Sequence, residues 1–401
     1  MAADDVVIAG VARTPFGKFG GALREVPAID LGTAAVTAVL GRCGLEPEAV
    51  DELNLGCCIP AEAEGAASVV ARQVLLESGV PPDRLSVTLD RACCSALSAC
   101  AWGWRSLRLG EAGLVVAGGT ENMSRAPHLV RGLRWGLRLG AADIRDPLFP
   151  MAYQRYRSVA LDAGEVAVEH GIDRAAQDRW ALGSQQRYEA ARRAGKMDEE
   201  IAPIEVPGRR GESHTVAADE FPKPDTTIEG LSRLRTVYSS PTVTAGNAPG
   251  LDAGAAVCVL TTRERAAESG LEPLAQLKAV VSAAEPPRQI ATIPAKAIGL
   301  GIERLGWRLD ELKRIEINEA FAAMPLVSSQ LLAGGEGPAC ERLRERINVN
   351  GGAIAIGHPI GASGARILMT LVLELRRLGG GRGAAAICGG LAQGDCALVE
   401  V

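Results

Sequence analysis

One order of predicted elements occurs twice in the chain, and it restricts the fold more than any other feature of the sequence. The stretch "VTLDRACCSALSACAWGWRSLRLGEAGLVVAGGTE" (87–121) predicts a strand, a sharp turn, a helix and a buried strand that ends in Gly-Gly. The stretch "GHPIGASGARILMTLVLELRRLGGGRGAAAICGG" (357–390) predicts a turn, a helix, a Gly-rich loop and a buried strand with the same ending. Such self-similarity indicates duplication. We therefore expect two similar halves whose half-sites face each other.

Apolar runs rich in β-branched residues alternate with Ala- and Leu-rich runs elsewhere, which predicts an α/β layered architecture. The run "IDLGTAAVTAVLGRCG" predicts a helix with Asp30 as its N-cap and Gly44 at its end. We place the two halves at 1–121 and 270–401. Residues 122–250 are richer in charge and contain "FPKPD", so they predict an inserted loop domain, with the chain returning to the first half near 240–265. Long excursions of this kind are usually functional, and we expect this one to cover a site.

Composition indicates a soluble protein that acts on small molecules. Hydrophobic residues make up 47% of the 401 positions, enough for a large core, and the formal net charge is -5. Lysines and arginines are scattered rather than clustered, so neither a nucleic acid nor an anionic membrane is an expected partner. Apolar stretches stay shorter than the roughly 20 residues that span a bilayer.

The ten cysteines are expected to be reduced thiols of a cytoplasmic protein. The start "MAADDVVIAG" has no basic and apolar export segment. The pairs Cys57-Cys58 and Cys93-Cys94 lack the C-x2-C spacing of zinc sites, and no His pair completes a ligand set. We therefore expect no metal, and most of the cysteines are expected to be small core residues.

Cys93 is a candidate nucleophile. The run "SALSACAWGWRSLRL" predicts a helix ending at Gly110, and Cys93 lies at its start, where free N–H groups and the helix dipole favour a thiolate. Cys94 is rotated by about 100° on a helix and is expected to point into packing. The alternative is that both are core residues.

Three later residues are candidate partners of Cys93. His358 lies in the Gly-rich stretch "NVNGGAIAIGHPIGASG", where backbone and ligand can approach closely; a structural core histidine is the alternative. Cys388 ends a buried strand before Gly389, and Asn318 follows another predicted strand. The Gly-rich stretch lacks the G-x-G-x-x-G order of a dinucleotide site and the G-K-[ST] of a phosphate loop.

Six segments, from "DRACCSA" and "AGGTENMS" through "TVTAGNAPGLDAGAA", "INEAFA" and "NVNGGAIAIGHPIGASGAR" to "CGGLAQG", resemble the thiolases, the acyl-CoA C-acyltransferases. The match extends in order over essentially the whole chain. The resemblance implies a thiolase-like fold of two βαβαβαββ halves with a loop domain inserted in the first. It also implies that Cys93, rather than Cys94, is the nucleophile.

The resemblance implies a role for each candidate. His358 would take the proton of Cys93, which forms an acyl-enzyme in ping-pong kinetics, and Cys388 would be the second acid/base. The backbone N–H groups of Cys93 and Gly390 would form one oxyanion hole; His358 and a water held by Asn318 would form the other.

The resemblance also implies that coenzyme A and acyl-CoA are substrates, with no prosthetic group, and that the protein is a homodimer or homotetramer. The residues expected to contact coenzyme A are Lys223, Ala245, Gly246, Ala320 and Phe321.

The chain departs from the family pattern near the expected site. Asp90 replaces an asparagine, Ala96 a glycine, and Leu391 and Ala392 a glycine run, while Pro249 replaces a serine that contacts pantetheine in relatives. The replaced glycines are expected to narrow the site near Cys388. The loop that carries pocket methionines in relatives reads "YRSVALDAGE" here, which predicts an acyl preference different from that of a simple acetoacetyl enzyme. Two alternatives stay open: a decarboxylating ketosynthase that uses a carrier protein, against which Cys388 argues, and a non-catalytic acyl-CoA-binding protein.

Overall fold

The first half of the chain forms the predicted alternation of strands and helices. The computed structural model describes residues 5–62, 68–149, 151–153, 155–208 and 212–401. The elements of the first half, up to the point where the chain leaves the sheet, are β1 (Val6–Arg13), α1 (Ala28–Cys43), β2 (Glu52–Gly56), α2 (Val70–Glu77), β3 (Leu85–Leu89), α3 (Ser95–Leu109) and β4 (Leu114–Asn122).

A long excursion separates β4 from the next strand of this sheet. Its elements are β5 (Leu129–Val130), β6 (Ile144–Arg145), α4 (Val159–Glu169), α5 (Arg174–Arg193), β7 (Ile204–Pro207), β8 (Ser213–Val216) and α6 (Ile228–Ser232). The chain then returns as β9 (Ala253–Thr262), which pairs with both β4 and β1. The predicted limits of an inserted domain at 122–250 stay a prediction.

The second half begins after a short helix and repeats the first. That short helix is α7 (Arg263–Glu268). The elements of the second half are β10 (Ala275–Ala284), α8 (Ile293–Leu305), β11 (Leu312–Ile317), α9 (Ala323–Leu332), α10 (Pro338–Arg344), α11 (Ala353–Ile356), α12 (Ser363–Arg377), β12 (Arg382–Gly389) and β13 (Gln393–Glu400).

Strand order shows the duplication directly. In the first half the order is β3-β2-β4-β9-β1, with β2 parallel to β3 and β4, and β9 antiparallel to both its neighbours. In the second half it is β11-β12-β13-β10, with β11 parallel to β12, and β13 antiparallel to both its neighbours. A parallel bridge between Ile315 and Ile347 stands where β3 stands in the first half. The predicted pair of βαβαβαββ halves is therefore confirmed, with the third strand of the second half reduced to a bridge.

The helices α3 and α12 lie between the two halves of the sheet. Their apolar residues share one buried cluster with the facing strands, while α1 and α2 cover the outer face of the first half and α8 and α9 that of the second. A Cβ added at Gly364 of α12 would come within 2.6 Å of the backbone nitrogen of Leu97 in α3. This close approach brings the first turns of α3 and α12 together, and each turn follows one of the candidate catalytic residues.

The helix ends agree with the sequence in two cases and differ in one. Gly44 and Gly110 end α1 and α3 in the left-handed conformation, with φ of 63° and 73°. Asp30 is not the N-cap of α1, because the helix begins two residues earlier, at Ala28. The Ala28 N–H donates instead to the carboxylate of Glu62, at 2.8 Å. A residue distant in sequence therefore does the capping, and Asp30 lies in the first turn.

Candidate active site

A strained turn between β3 and α3 places Cys93. Ala92 has a φ of 54°, in the left-handed region that residues with a Cβ rarely adopt. Side chains on both sides hold this turn: Asp90 Oδ1 accepts from the Ala92 N–H at 2.9 Å, and Ser95 Oγ donates to the Ala92 carbonyl at 2.7 Å. Ser95 Oγ also accepts from the Arg91 N–H at 2.8 Å. The turn therefore fixes the direction of Cys93 before any substrate binds.

The two adjacent cysteines have different surroundings. Cys94 is fully buried in the cluster between the sheets, and its Sγ donates to the Arg91 carbonyl at 3.2 Å. Cys93 lines a cavity instead. Burial raises the pKa of the Cys93 thiol well above its usual value, and the nearby thiols of Cys388 and Cys94 raise it further. The expected resting thiolate finds no support here, because α3 begins only at Ser95 and the raised pKa of Cys93 favours the protonated thiol.

Arg91 ties the Cys93 turn to the second half of the chain. Its guanidinium donates to Asp395 Oδ1 at 2.7 Å and to Gln393 at 3.0 Å, both in β13. Asp395 is fully buried and also accepts from Ser282 at 2.6 Å. The Arg91 carbonyl accepts a long hydrogen bond, 3.4 Å, from the N–H of Gly390. Backbone and side chain of one residue thus hold together the turns that carry Cys93 and Cys388.

His358 lies in the turn between α11 and α12, and its hydrogen bonds indicate its tautomer. Nδ1 is 2.6 Å from Ser363 Oγ, and the same hydroxyl donates to the Pro359 carbonyl at 2.9 Å. Since a serine hydroxyl has one hydrogen, Ser363 accepts from Nδ1–H, and Nε2 keeps its lone pair. The His358 N–H donates to Asp252 Oδ2 at 2.6 Å.

Burial favours the neutral form of the His358 ring. Burial, followed by the charge of Arg366, lowers the pKa of His358 to about 3. Nε2 is buried and has no hydrogen-bond partner within the part of the chain that the structure describes. An unprotonated nitrogen with a free lone pair is what proton abstraction from a thiol requires.

Asn318 follows β11, is fully buried and does not line the cavity. Its Oδ1 accepts from Arg366 at 3.4 Å, which assigns the amide oxygen to that side. Its Nδ2 finds no partner among the described residues. The next residue, Glu319, accepts from Trp180 of α5 at 2.9 Å and from Asn348 at 3.0 Å, so this loop is anchored on both sides. Asn318 therefore presents a free N–H donor from a rigid position.

Cys388 lies near the end of β12, and burial raises the pKa of its thiol to about 12. A Cβ added at the next residue, Gly389, would collide with Cys94 Sγ and would lie 2.7 Å from the Arg91 carbonyl. Only glycine allows this contact between the two turns. Leu391 and Ala392, which replace the expected glycines, both have a φ of 56° and are strained L-residues in the turn from β12 to β13.

One cavity of about 370 Å³ brings four of the five predicted catalytic residues together: Cys93, His358, Cys388 and Gly390 all line it. The excursion between β4 and β9 contributes one wall, and Asp90 and Pro249, two of the departures noted above, also face it. The wall is mainly apolar, as expected for a site that binds an acyl group. Its aliphatic and proline residues include Pro147, Leu148, Met151, Val159, Leu251 and Ile290.

The residues expected to contact coenzyme A divide into two groups. Ala245, Ala320 and Phe321 line the cavity. Gly246 does not; a Cβ there would lie 2.5 Å from Leu231. Lys223 also lies outside the lining, with its Nζ 4.9 Å from the centre of the Phe221 ring.

The sequence did not reveal several residues that shape the site. Glu121 is fully buried; its Oε2 accepts from the N–H groups of Cys58 and Gly361, each at 3.0 Å, and burial raises its pKa to about 7. A lone carboxylate in the apolar run "LVVAGGTEN" was the available signal. Cys58 and Tyr153 also line the cavity, and no sequence pattern marks them.

Within the described residues, no group of three or more His, Cys, Asp or Glu side chains is placed to hold a metal ion. In the same part of the chain, no helix is both long and apolar enough to cross a membrane.

Comparison with known proteins identifies the family. Residues 6–264 match the model of the thiolase N-terminal domain, and residues 271–401 match that of the thiolase C-terminal domain. The acetyl-CoA acetyltransferase of Cupriavidus necator is 41% identical over 401 residues, 99% of each chain.

Two solved structures extend the comparison. The acetyl-CoA acetyltransferase of Bacillus anthracis superposes with a TM-score of 0.93 at 36% identity, over 100% of this chain and 99% of that one. Human mitochondrial 3-ketoacyl-CoA thiolase in complex with CoA gives 0.92 at 36% identity, with the same coverage. The chain belongs to the thiolase family, the acyl-CoA C-acyltransferases. The ketosynthase and the non-catalytic binding protein are not favoured, because the second cysteine is present and lines the cavity.

Proposed function

We propose that this acyltransferase works through an acyl group on Cys93, with His358 as its base and Cys388 as the second acid/base. The observation that carries the proposal is that these three side chains, from both halves of the chain, line one cavity. A neutral imidazole and two protonated thiols are a consistent resting state for thiolysis of a 3-oxoacyl-CoA.

The proton transfers balance with these groups alone. His358 Nε2 takes the proton of Cys93, and the thiolate attacks the 3-oxo carbon. The bond between C2 and C3 breaks, and the enolate that leaves takes the proton of Cys388. The Cys388 thiolate recovers a proton from the His358 imidazolium. His358 Nε2 then takes the proton of the coenzyme A thiol, the coenzyme A thiolate attacks the acyl carbon, and the Cys93 thiolate that leaves recovers the proton from His358. Condensation is the reverse sequence.

A free donor supports one of the two predicted oxyanion sites. The free Nδ2 of Asn318 supports the predicted role of that residue in holding a water near His358. The predicted contacts of Ala245, Ala320 and Phe321 with coenzyme A are supported by their place in the cavity lining. Lys223 and Gly246 would contact only those parts of coenzyme A that lie outside the cavity.

A pair of adjacent substitutions tests the nucleophile. Cys93→Ala should abolish both the acyl-enzyme and the exchange of label between acetyl-CoA and CoA. Cys94→Ala is the matched control, since it removes a neighbouring thiol from the core, and it should keep the exchange. Equal loss in both variants, with both proteins folded by circular dichroism, would contradict the assignment.

We further propose a homodimer or homotetramer in the cytoplasm. Trp135 in the β5–β6 region is 87% exposed, and Leu85 at the start of the edge strand β3 is 72% exposed, which suits contact between subunits. All ten cysteines lie in the described residues and are free, as in a reducing compartment. Native mass spectrometry should show two or four copies of the 41.8 kDa chain, and a monomer would contradict the proposal. Cell fractionation tests the location.

A further inference from the structure

One oxyanion hole is expected around the carbonyl oxygen of an acyl group on Cys93. It has fewer free N–H donors than the family pattern implies. The N–H of Gly390 donates to the Arg91 carbonyl at 3.4 Å, so it is partly committed inside the protein. The turn that follows contains Leu391 and Ala392 in place of glycines, and both residues have a strained, positive φ. A stabilised oxyanion normally has two or more donors. Another donor near Gly390 would complete the site.

Tyr153 supplies a hydroxyl at this place. It lies in the excursion wall and lines the cavity together with Cys93 and Cys388. A Cβ added at Gly390 would collide with the Tyr153 hydroxyl, would lie 2.8 Å from the ring carbon Cζ, and would lie 3.1 Å from the Cβ of Ala92. The phenol oxygen therefore meets the backbone where the Cys93 turn and the Cys388 turn converge.

The hydroxyl of Tyr153 is available as a donor. It makes no hydrogen bond to any residue that the structure describes, and the side chain lines the cavity while 37% of the residue stays exposed. Burial raises the pKa of the Tyr153 phenol above its usual value, and Cys93 and Cys58 raise it further, so the phenol keeps its proton at neutral pH. An unpartnered O–H next to a developing negative charge is the arrangement of an oxyanion donor.

We propose that the Tyr153 hydroxyl donates a hydrogen bond to the thioester oxygen at Cys93 and stabilises the oxyanion formed during acyl transfer. The proposal rests on the proposed function, in which Cys93 is the acylated residue. The Cys93 N–H and the Tyr153 hydroxyl then donate the two hydrogen bonds to the oxyanion, because the Gly390 N–H is only partly free. No bond to the substrate is made or broken by Tyr153, so its role appears in the rate of acyl transfer and not in substrate affinity.

The test compares Tyr153→Phe with Tyr156→Phe. The first removes the hydroxyl and keeps the ring that forms the wall. The second removes the hydroxyl of a half-exposed tyrosine three residues away, outside the cavity lining. The readouts are kcat and KM for exchange of label between acetyl-CoA and CoA, and the melting temperature.

For Tyr153→Phe we expect kcat of the exchange to fall about 10²-fold, the size typical for loss of one oxyanion donor, with KM and melting temperature unchanged. Tyr156→Phe should behave as the wild type. Unchanged kcat in Tyr153→Phe, a change in KM alone, or an equal fall in both variants would overturn the role of Tyr153. Absence of exchange in the wild type would overturn the proposed function itself, and that outcome is separate because it does not depend on either tyrosine.

Discussion

The two halves of the chain share strand order and direction but differ in the connection that follows the fourth strand. In the second half, residues 390–392 turn β12 directly into β13, which places Cys388 and Gly390 at the cavity. In the first half, residues 123–252 separate β4 from β9, and part of this excursion, including Met151 and Tyr153, becomes a cavity wall. The duplicated frame therefore carries the proposed proton chemistry, and the unduplicated excursion supplies a wall of the proposed acyl site.

The turns before α3 and α12 show the same division at the level of single residues. Cys93 lies two residues before α3 and His358 lies five residues before α12, so corresponding turns of the two halves carry the proposed nucleophile and its base. Each turn is held by a serine in the first turn of its helix, Ser95 in one half and Ser363 in the other. Duplication thus provides two similar serine-held turns, and the residue that each turn presents differs: a cysteine in the first half and a histidine in the second.

The largest expected effect separates Cys388 from Cys93. Cys388→Ala should keep acylation of Cys93 and slow condensation and thiolysis by about 10³-fold, because it removes only the second acid/base. Label exchange and 3-oxoacyl-CoA cleavage, measured on one preparation, check this. If exchange is lost together with cleavage, the proposed separation of acylation at Cys93 from acid/base catalysis at Cys388 is wrong.

The resting state of Cys93 can be read from its reactivity. Because burial raises its pKa, the thiolate fraction should rise about tenfold for each pH unit between 7 and 9. Peptide mass spectrometry after brief iodoacetamide treatment should show alkylation at Cys93 following that slope. A plateau at or below pH 8 would mean a preformed thiolate, and the turn would then resemble the helix-dipole site expected from the sequence.

Ser363 tests whether the C-terminal turn orients its base. Ser363→Ala removes the acceptor for Nδ1–H, so the ring can adopt the other tautomer, and kcat should fall about 10-fold or more with little change in KM. Ser363→Thr keeps the hydroxyl and should recover most of the rate. Wild-type kcat in Ser363→Ala would show that the tautomer is set by something else.

The connection between the halves depends on Arg91 and Asp395. Arg91 is 27% exposed and Asp395 is fully buried, so Asp395→Asn should cost about 2 kcal/mol of unfolding free energy, less than a wholly buried pair. Arg91→Met and the double variant complete a cycle measured by urea unfolding. A coupling near zero would mean that the two turns are held together by backbone packing alone.

The smallest effect concerns the tight turn of the second half. Leu391→Gly should be more stable than Leu391→Ala by about 1 kcal/mol, because only glycine relieves the positive φ. Denaturant unfolding of the two variants measures the difference. Equal stability would show that this turn is not strained in solution.

Local patterns predicted the frame of this molecule well. The helix Ser95–Leu109 with Gly110 at its end, and the strand that ends near Cys388, follow from apolar spacing and glycine position. The start of α1 could not be predicted this way, because the cap comes from Glu62. The third strand of the second half, reduced to Ile347, was equally hidden, since its pairing is made by a single residue.

The candidate site could be predicted only where reactive residue types lie at the ends of repeated elements. Cys93, His358 and Cys388 lie at the ends of repeated elements, and the structure brings them to one cavity as expected. The place of Tyr153 depends on how a non-periodic excursion folds back over the sheet. The tautomer of His358 depends on a serine five residues later and on where its single hydrogen goes, which no residue pattern specifies.

The most direct test is to find the acyl group. The wild-type protein is incubated with acetyl-CoA and, separately, with a medium-chain acyl-CoA, then quenched in acid and digested for peptide mass spectrometry. We expect an acyl mass on Cys93 and none on Cys94, Cys58 or Cys388, and the chain that labels more fully shows the acyl preference. An acyl group on another cysteine, or no adduct from either donor in folded protein, would contradict the account.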